Sequence, residues 1–245
     1  MTTTEEQLDM TSLSMADVAL KFPQALGILQ KYNLDYCCGG KKPFTEVCRK
    51  MDADPAKVWD EIILVQSNHH GSGNRMNFNT WDVPLIIDFI LQHHHEYVRS
   101  SIPQIEQLLE KVCEAHSEDS PDLLLLRSNF KILAKELLDH MPKEENILFP
   151  AMRDLFNAES QQHLEANNQR YLAQPIAVME HEHESAGELI KSIRVLAQDY
   201  TPPAYACPTF KMTYLMLEQF DQDLMQHIHI ENNILFPKAK LKPIG

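Results

Sequence analysis

The chain has 245 residues, of which 44% are hydrophobic and 23% charged, an ordinary globular composition that excludes disorder over most of its length. Its formal net charge is −13, with no Lys/Arg cluster to offset it, and such a surface repels phosphate backbones, so no nucleic acid is expected as a partner. No uninterrupted apolar segment is long enough to cross a bilayer, Met1–Met10 shows no secretory signal, and five cysteines, an odd number, do not make a disulfide scaffold. A cytoplasmic setting, reducing and with no membrane partner, is the expectation.

Few glycines and many Leu, Ile, Met, Glu and Gln favour helix throughout. Residues 12–66 predict a small helical unit. Ser14, with Asp17 three residues on, resembles a capping box, and an amphipathic stretch follows to about Tyr32. The run Asn33-Leu34-Asp35-Tyr36-Cys37-Cys38-Gly39-Gly40 is a turn, because paired glycines break regular structure. Thr45–Met51 predicts a short helix. Asp54 as N-cap and Pro55 at the first helical position start another, to about Gln66. The small polar stretch 68–80, with His69 and His70, is a solvated linker. Domains are therefore expected at 1–67 and 81–245. Four long helices follow, over 82–115, 121–149, 172–199 and 208–236, with Pro150 and Pro237 closing the second and fourth. This pattern, without strand signals, predicts an all-α fold, an up-down-up-down four-helix bundle preceded by the small helical domain.

The bundle contains a repeat. Residues 139–150 read Asp-His-Met-Pro-Lys-Glu-Glu-Asn-Ile-Leu-Phe-Pro and residues 226–237 read Gln-His-Ile-His-Ile-Glu-Asn-Asn-Ile-Leu-Phe-Pro, an offset of 87. His95-Glu96 and His183-Glu184, on the preceding helices, are 88 apart. Each half thus contributes one His from its first helix and a His-x-x-x-Glu pair from its second: His95, His140 and Glu144, then His183, His227 and Glu231.

Helical periodicity places all six on apolar seams. The seams are Leu91, His95, Val98, Ile102, Ile105, Leu109, Val112; Leu126, Phe130, Leu133, Leu137, His140, Glu144, Ile147; Ile176, Met179, His183, Ala186, Ile190, Ile193, Ala197; and Leu217, Phe220, Leu224, His227, Glu231, Ile234. The ligands also lie at one depth, since His95 and His140 are each about 20 residues from the turn between their helices. Buried imidazoles and carboxylates need partners, because an isolated buried charge is very costly. Imidazole plus carboxylate without thiolate suits Fe or Mn, and Zn less distinctively. Each His-x-x-x-Glu pair can hold one metal while its carboxylate bridges to a second, leaving positions open for an exogenous bridge or a small ligand. His93, His94, His181 and His229 fall off the seam, at the surface or beside the ligands. His116 is about 31 Å along the helix from His95 and should not share the cluster. Glu182, next to the seam, is either solvated or a partner of a ligand.

These segments resemble a known family, the iron–sulfur cluster repair di-iron proteins, in which a hemerythrin-like domain follows a small cysteine-bearing domain. The resemblance rests on Asp35-Tyr36-Cys37-Cys38-Gly39-Gly40, on Val178 to Gly187, and on the two His-x-x-x-Glu-x-x-Ile-Leu-Phe-Pro blocks. It implies two carboxylate-bridged, oxo- or hydroxo-bridged iron ions held by His95, His140, Glu144, His183, His227 and Glu231, and a functional, catalytic role for Cys37 and Cys38. It implies repair of iron–sulfur proteins damaged by nitrosative or oxidative stress, through iron donation or nitric oxide handling. Oxygen-carrying hemerythrins have a His-x-x-x-His pair on the third helix; here Met179 and Gly187 lie four residues from His183, which disfavours oxygen carriage. A nitric oxide-reducing enzyme and an oxygen or redox sensor are the alternative uses of such a site.

Adjacent cysteines form only a strained disulfide, so Cys37 and Cys38 are expected as thiols. Lys41 and Lys42 would favour thiolate, and Gly39 and Gly40 would keep the sulfurs accessible. Cys48, Cys113 and Cys207 show no site-like spacing. A helical unit of about 55 residues is small to stand alone, so association through it, as in a homodimer, is an expectation.

Overall fold

The computed structural model describes residues 10–68, 77–156 and 168–241, and the chain divides into two compact units, Met1–Thr80 and Trp81–Gly245. Most of the linker predicted at 68–80, with His69 and His70, lies outside the described residues. No strand forms among the described residues; a single bridge pairs Ser14 with Pro43.

In the first unit, Ser14 caps α1 (Met15–Lys21) by accepting from the Asp17 N–H while the Asp17 carboxylate accepts from the Ser14 N–H, a complete capping box. The helix does not run on to Tyr32. Pro23 holds Phe22 out of helical geometry (φ −125°, ψ 66°), and α2 (Leu26–Lys31) starts after a 3₁₀ turn. Helices α3 (Phe44–Lys50) and α4 (Pro55–Asn68) complete the unit. Its core gathers Met15, Val18, Leu29, Leu34, Tyr36, Phe44, Val58 and Ile62, and the Trp59 ring meets the edges of Phe22 and Phe44 at 5.4 and 5.8 Å.

The second unit is a four-arm bundle. The first arm is α5 (Val83–Phe89), a π turn over Ile90–His95, and α6 (Glu96–His116). The second is α7 (Asp122–Lys143), a π turn over Glu144–Leu148, and α8 (Phe149–Phe156). The third is α9 (Asn168–Leu196), without a π turn. The fourth is α10 (Pro208–Ile230), a π turn over Glu231–Leu235, and α11 (Phe236–Leu241). Side-chain pairs set the antiparallel register. Arg127 meets Glu110, and Glu145 meets His95. Asn129 meets Ser192, and His140 meets Glu182. Arg194 meets Asp221, and Asn232 meets His183.

Two expectations are corrected. Pro150 and Pro237 do not end their helices; each sits just inside the α-helix that follows a π turn. The π turn widens the backbone upstream of the ring, where an α-helix would set the ring against the preceding turn. The third helix stops at Leu196 rather than 199, because Gln198, Asp199 and Tyr200 all take left-handed backbone (φ 49°, 50° and 56°). That turn is anchored from inside: the Tyr200 hydroxyl donates to Asp221 at 2.8 Å, and Arg194 grips the same carboxylate with two nitrogens at 2.6–2.9 Å.

Candidate metal centre

The six nominated side chains converge on one buried layer. His95, His140, Glu144, His183, His227 and Glu231 are each 4% exposed or less. His140 Nε2 lies 3.2 Å and His95 Nε2 3.3 Å from the Glu144 carboxylate. His227 and His183 each bring Nε2 to 3.1 Å from Glu231. The donors fall into two overlapping groups, His95/His227 and His140/His183, each completed by both glutamates, with all donor atoms of a group within 4.8 Å of one another. His140 Nε2 and His183 Nε2 are 3.2 Å apart, and two ligands about 2 Å from one ion stand roughly 3 Å apart.

A cation fits this donor set. All four oxygens of Glu144 and Glu231, and Nε2 of His95 and His227, are buried without a well-formed hydrogen bond. Buried polar atoms left so are rare and costly. Here they face one another, with imidazole nitrogens beside them.

Most of the imidazoles are oriented from behind. His95 Nδ1 meets Glu145 at 2.6 Å, and Arg99 donates to that carboxylate. His140 Nδ1 meets Glu182 at 2.7 Å, and Lys143 pairs with that group. His183 Nδ1 meets the Asn232 side chain at 2.8 Å. Such partners fix ring and tautomer so that Nε2 faces the centre. His227 differs, since its Nδ1 is buried without a partner. Phe149 stacks on His95 and Phe236 on His183.

The charges interlock. Burial alone would raise the Glu231 carboxyl, but His227 and His183 hold it well below its ordinary 4.5. Burial and Glu231 push Glu144 up, yet His140 and His95 outweigh them. Burial works against charge on His140, but Glu144 raises it to about 9. His95 also rises, against burial, through Glu144. His227 falls, burial prevailing over Glu231. Arg99 pairs with Glu145 and Lys143 with Glu182.

A cavity of about 300 Å³ opens between α7 and α9, lined by His140, Lys143, Glu182 and His183 among others. Of the off-seam histidines, His93 and His181 are exposed, while His94 and His229 are buried. His116 sits at the far end of α6 against Phe210, with its Nε2 3.4 Å from Cys207 Sγ, and Cys207 caps α10. Sequence reading gave no role to Glu145, Asn232 or Asp223. The first two follow Glu144 and Glu231 at the repeat offset, and Asp223 lies one helical turn before His227; those spacings were the available signals.

In the first unit, Asp35 organises the cysteine turn. Its Oδ1 accepts from the N–H groups of Cys38 and Gly39 at 3.0 and 2.9 Å. A side chain at Gly39 would press a Cβ to 2.9 Å from the Asp35 carbonyl, so glycine is required there. The two sulfurs are 3.5 Å apart and unbonded. Donors of Asp35, Cys37 and Cys38 lie within 4.8 Å of one another. Two expectations change. Cys37 is buried rather than accessible, and its thiol is pushed up, by its hydrogen bond with Cys38, by burial and by Asp35. Lys41 and Lys42 are exposed and do not reverse this.

A helical bundle around buried His/Glu donors defines a hemerythrin-type cation-binding protein, and residues 87–239 match the Hemerythrin HHE cation binding domain, while residues 11–66 match ScdA_N, a domain of unknown function. The chain is 34% identical to the iron-sulfur cluster repair protein YtfE of Musicola paradisiaca, over 92% of this chain and 95% of that one. It is 31% identical to the proteins of that name from Yersinia pseudotuberculosis and Yersinia pestis, over 95% of this chain and 98% of theirs. The chain belongs to this YtfE-type family of iron–sulfur cluster repair proteins. No described helix is long and apolar enough to cross a membrane.

Proposed function

We propose that the bundle holds two iron ions, one at His95/His227 and one at His140/His183, bridged by Glu144 and Glu231, and that the protein repairs iron–sulfur proteins damaged by nitrosative or oxidative stress. The observation that carries this is the pair of donor groups sharing both glutamates. Bound iron would supply open coordination positions, redox change and an ion that can be given up. The residues do the rest. Glu144 and Glu231 hold the positions together, Glu145, Glu182 and Asn232 aim the imidazoles, and Phe149 and Phe236 pack against the rings of His95 and His183. Cys37 and Cys38, with Asp35, act as the soft donor group of the first unit, where a bound cation would draw off the thiol protons.

The cavity at His140 and His183 favours a second use, binding or turnover of a small ligand such as nitric oxide. Purified protein is expected to contain two irons per chain and to restore activity to a cluster enzyme damaged by nitric oxide. If Glu144→Leu and a Cys37→Ser/Cys38→Ser variant both repaired as well as wild type, the mechanism would be wrong. Steady consumption of nitric oxide with a reductant would mark turnover; stoichiometric binding alone would rule turnover out.

A further inference from the structure

The π turn Ile90–His95 carries three consecutive histidines, and the centre uses only His95. Neighbours on an α-helix point about 100° apart. The π turn widens the helix, and His94 and His95 are both fully buried. His94 faces α10, where its Nδ1 lies 2.9 Å from Asp223 Oδ1. His93 is exposed, with its ring edge-on to His94 at 4.9 Å. One donor atom from each of His93, His94 and Asp223 lies within 4.8 Å of the others. His94 Nε2 and Asp223 Oδ2 are buried with no hydrogen-bond partner. The cluster thus has donor capacity that the protein leaves unused. Two imidazoles and one carboxylate suit a divalent transition metal, and are too nitrogen-rich for Mg²⁺ or Ca²⁺.

We propose that His93, His94 and Asp223 form a third site for a divalent transition metal, beside the His/Glu centre on its His227 side. The His94 ring lies parallel to the His227 ring, 5.1 Å away. With His93 at the surface and His227 buried, the cluster stands between solvent and the His95/His227 position. His227 is also the ligand without an Nδ1 partner, so that position is the less firmly braced. The third site is therefore where an ion pauses on its way to or from the centre. This exchange role rests on the reading that the centre holds metal; the site itself does not.

The test is a Co²⁺ titration, followed by visible absorption, of protein already loaded with iron. It is done in a Cys37→Ser/Cys38→Ser background so that thiols do not contribute. One further equivalent is expected, and Asp223→Asn and His93→Gln should each weaken it at least about tenfold. Asn preserves the shape of Asp223, and His93 is exposed, so both variants should fold. No further equivalent, or one that survives both substitutions, overturns the site. If iron fails to load, the reading of the centre fails instead. The difference in Co²⁺ bound between the cysteine-free background and its Asp223→Asn variant then still decides the third site. Both variants should also slow iron release to a chelator several-fold, and an unchanged rate overturns the exchange role.

Discussion

Helix α9 runs for 29 residues without a π turn and places one residue, His183, in the metal layer. The other three arms are each interrupted by a π turn at that layer. Two of these turns begin at Glu144 and Glu231, and the third ends at His95. Where the helix is regular, its apolar seam keeps the α period throughout, from Ile176 to Ala197, every member buried. At two of the three π turns the seam slips by one, whereas at Glu231–Leu235 the seam residue Ile234 stays buried. Ile90 replaces Leu91 in the core, and Leu148 is buried while Ile147 is 58% exposed. Ligands spaced four apart drift around an α-helix, and one extra residue in the turn returns the following apolar side chains to the core. The π arms therefore supply five of the six donors, and α9 supplies His183 and, through Arg194, braces the bundle.

This division can be broken from either side. The largest effect is expected at a bridging residue. Glu231→Gln should cost most of both ions, read by metal analysis, while helix content by circular dichroism stays close to wild type. A variant that kept two irons would remove the bridging role. The reverse is expected on α9. Arg194→Ala leaves Asp221 buried without its cation, which costs about 3–5 kcal/mol in denaturant unfolding, yet iron stoichiometry should remain at two. Loss of iron with unchanged stability would invert the comparison.

Acidity sharpens it further. His140, raised to about 9 from 6.5, contributes stability to the metal-free protein that is fully present below pH 6.5 and lost as pH rises through 9. Its Tm should fall over that interval, and iron-loaded protein should show a smaller fall because metal replaces the proton. The lowered carboxyls Glu145 and Glu182 work oppositely, their contribution being present above pH 4.5 and lost below it. A flat Tm from pH 6.5 to 9 in metal-free protein would discard this coupling. The smallest effect is expected at Glu182→Gln, where α9 orients the His140 ring of another arm. About 10- to 100-fold in metal affinity should be lost, with the fold intact.

The amino-acid sequence by itself determined the helical class, the capping box at Ser14 and Asp17, and the six side chains that meet in the bundle. Those depend on local propensity, on period and on the repeat, all of which can be read one-dimensionally. What only the tertiary structure decided were the π turns, the burial of His94, the exposure of Ile147 and the passage of helices beyond Pro150 and Pro237. A π turn gains little from its own residues and exists because the packed layer favours it. The cysteine turn shows the same limit. Neighbouring lysines in the chain suggested thiolates, but in space Cys37 faces Asp35 and Cys38, and a charge acts through distance rather than sequence position.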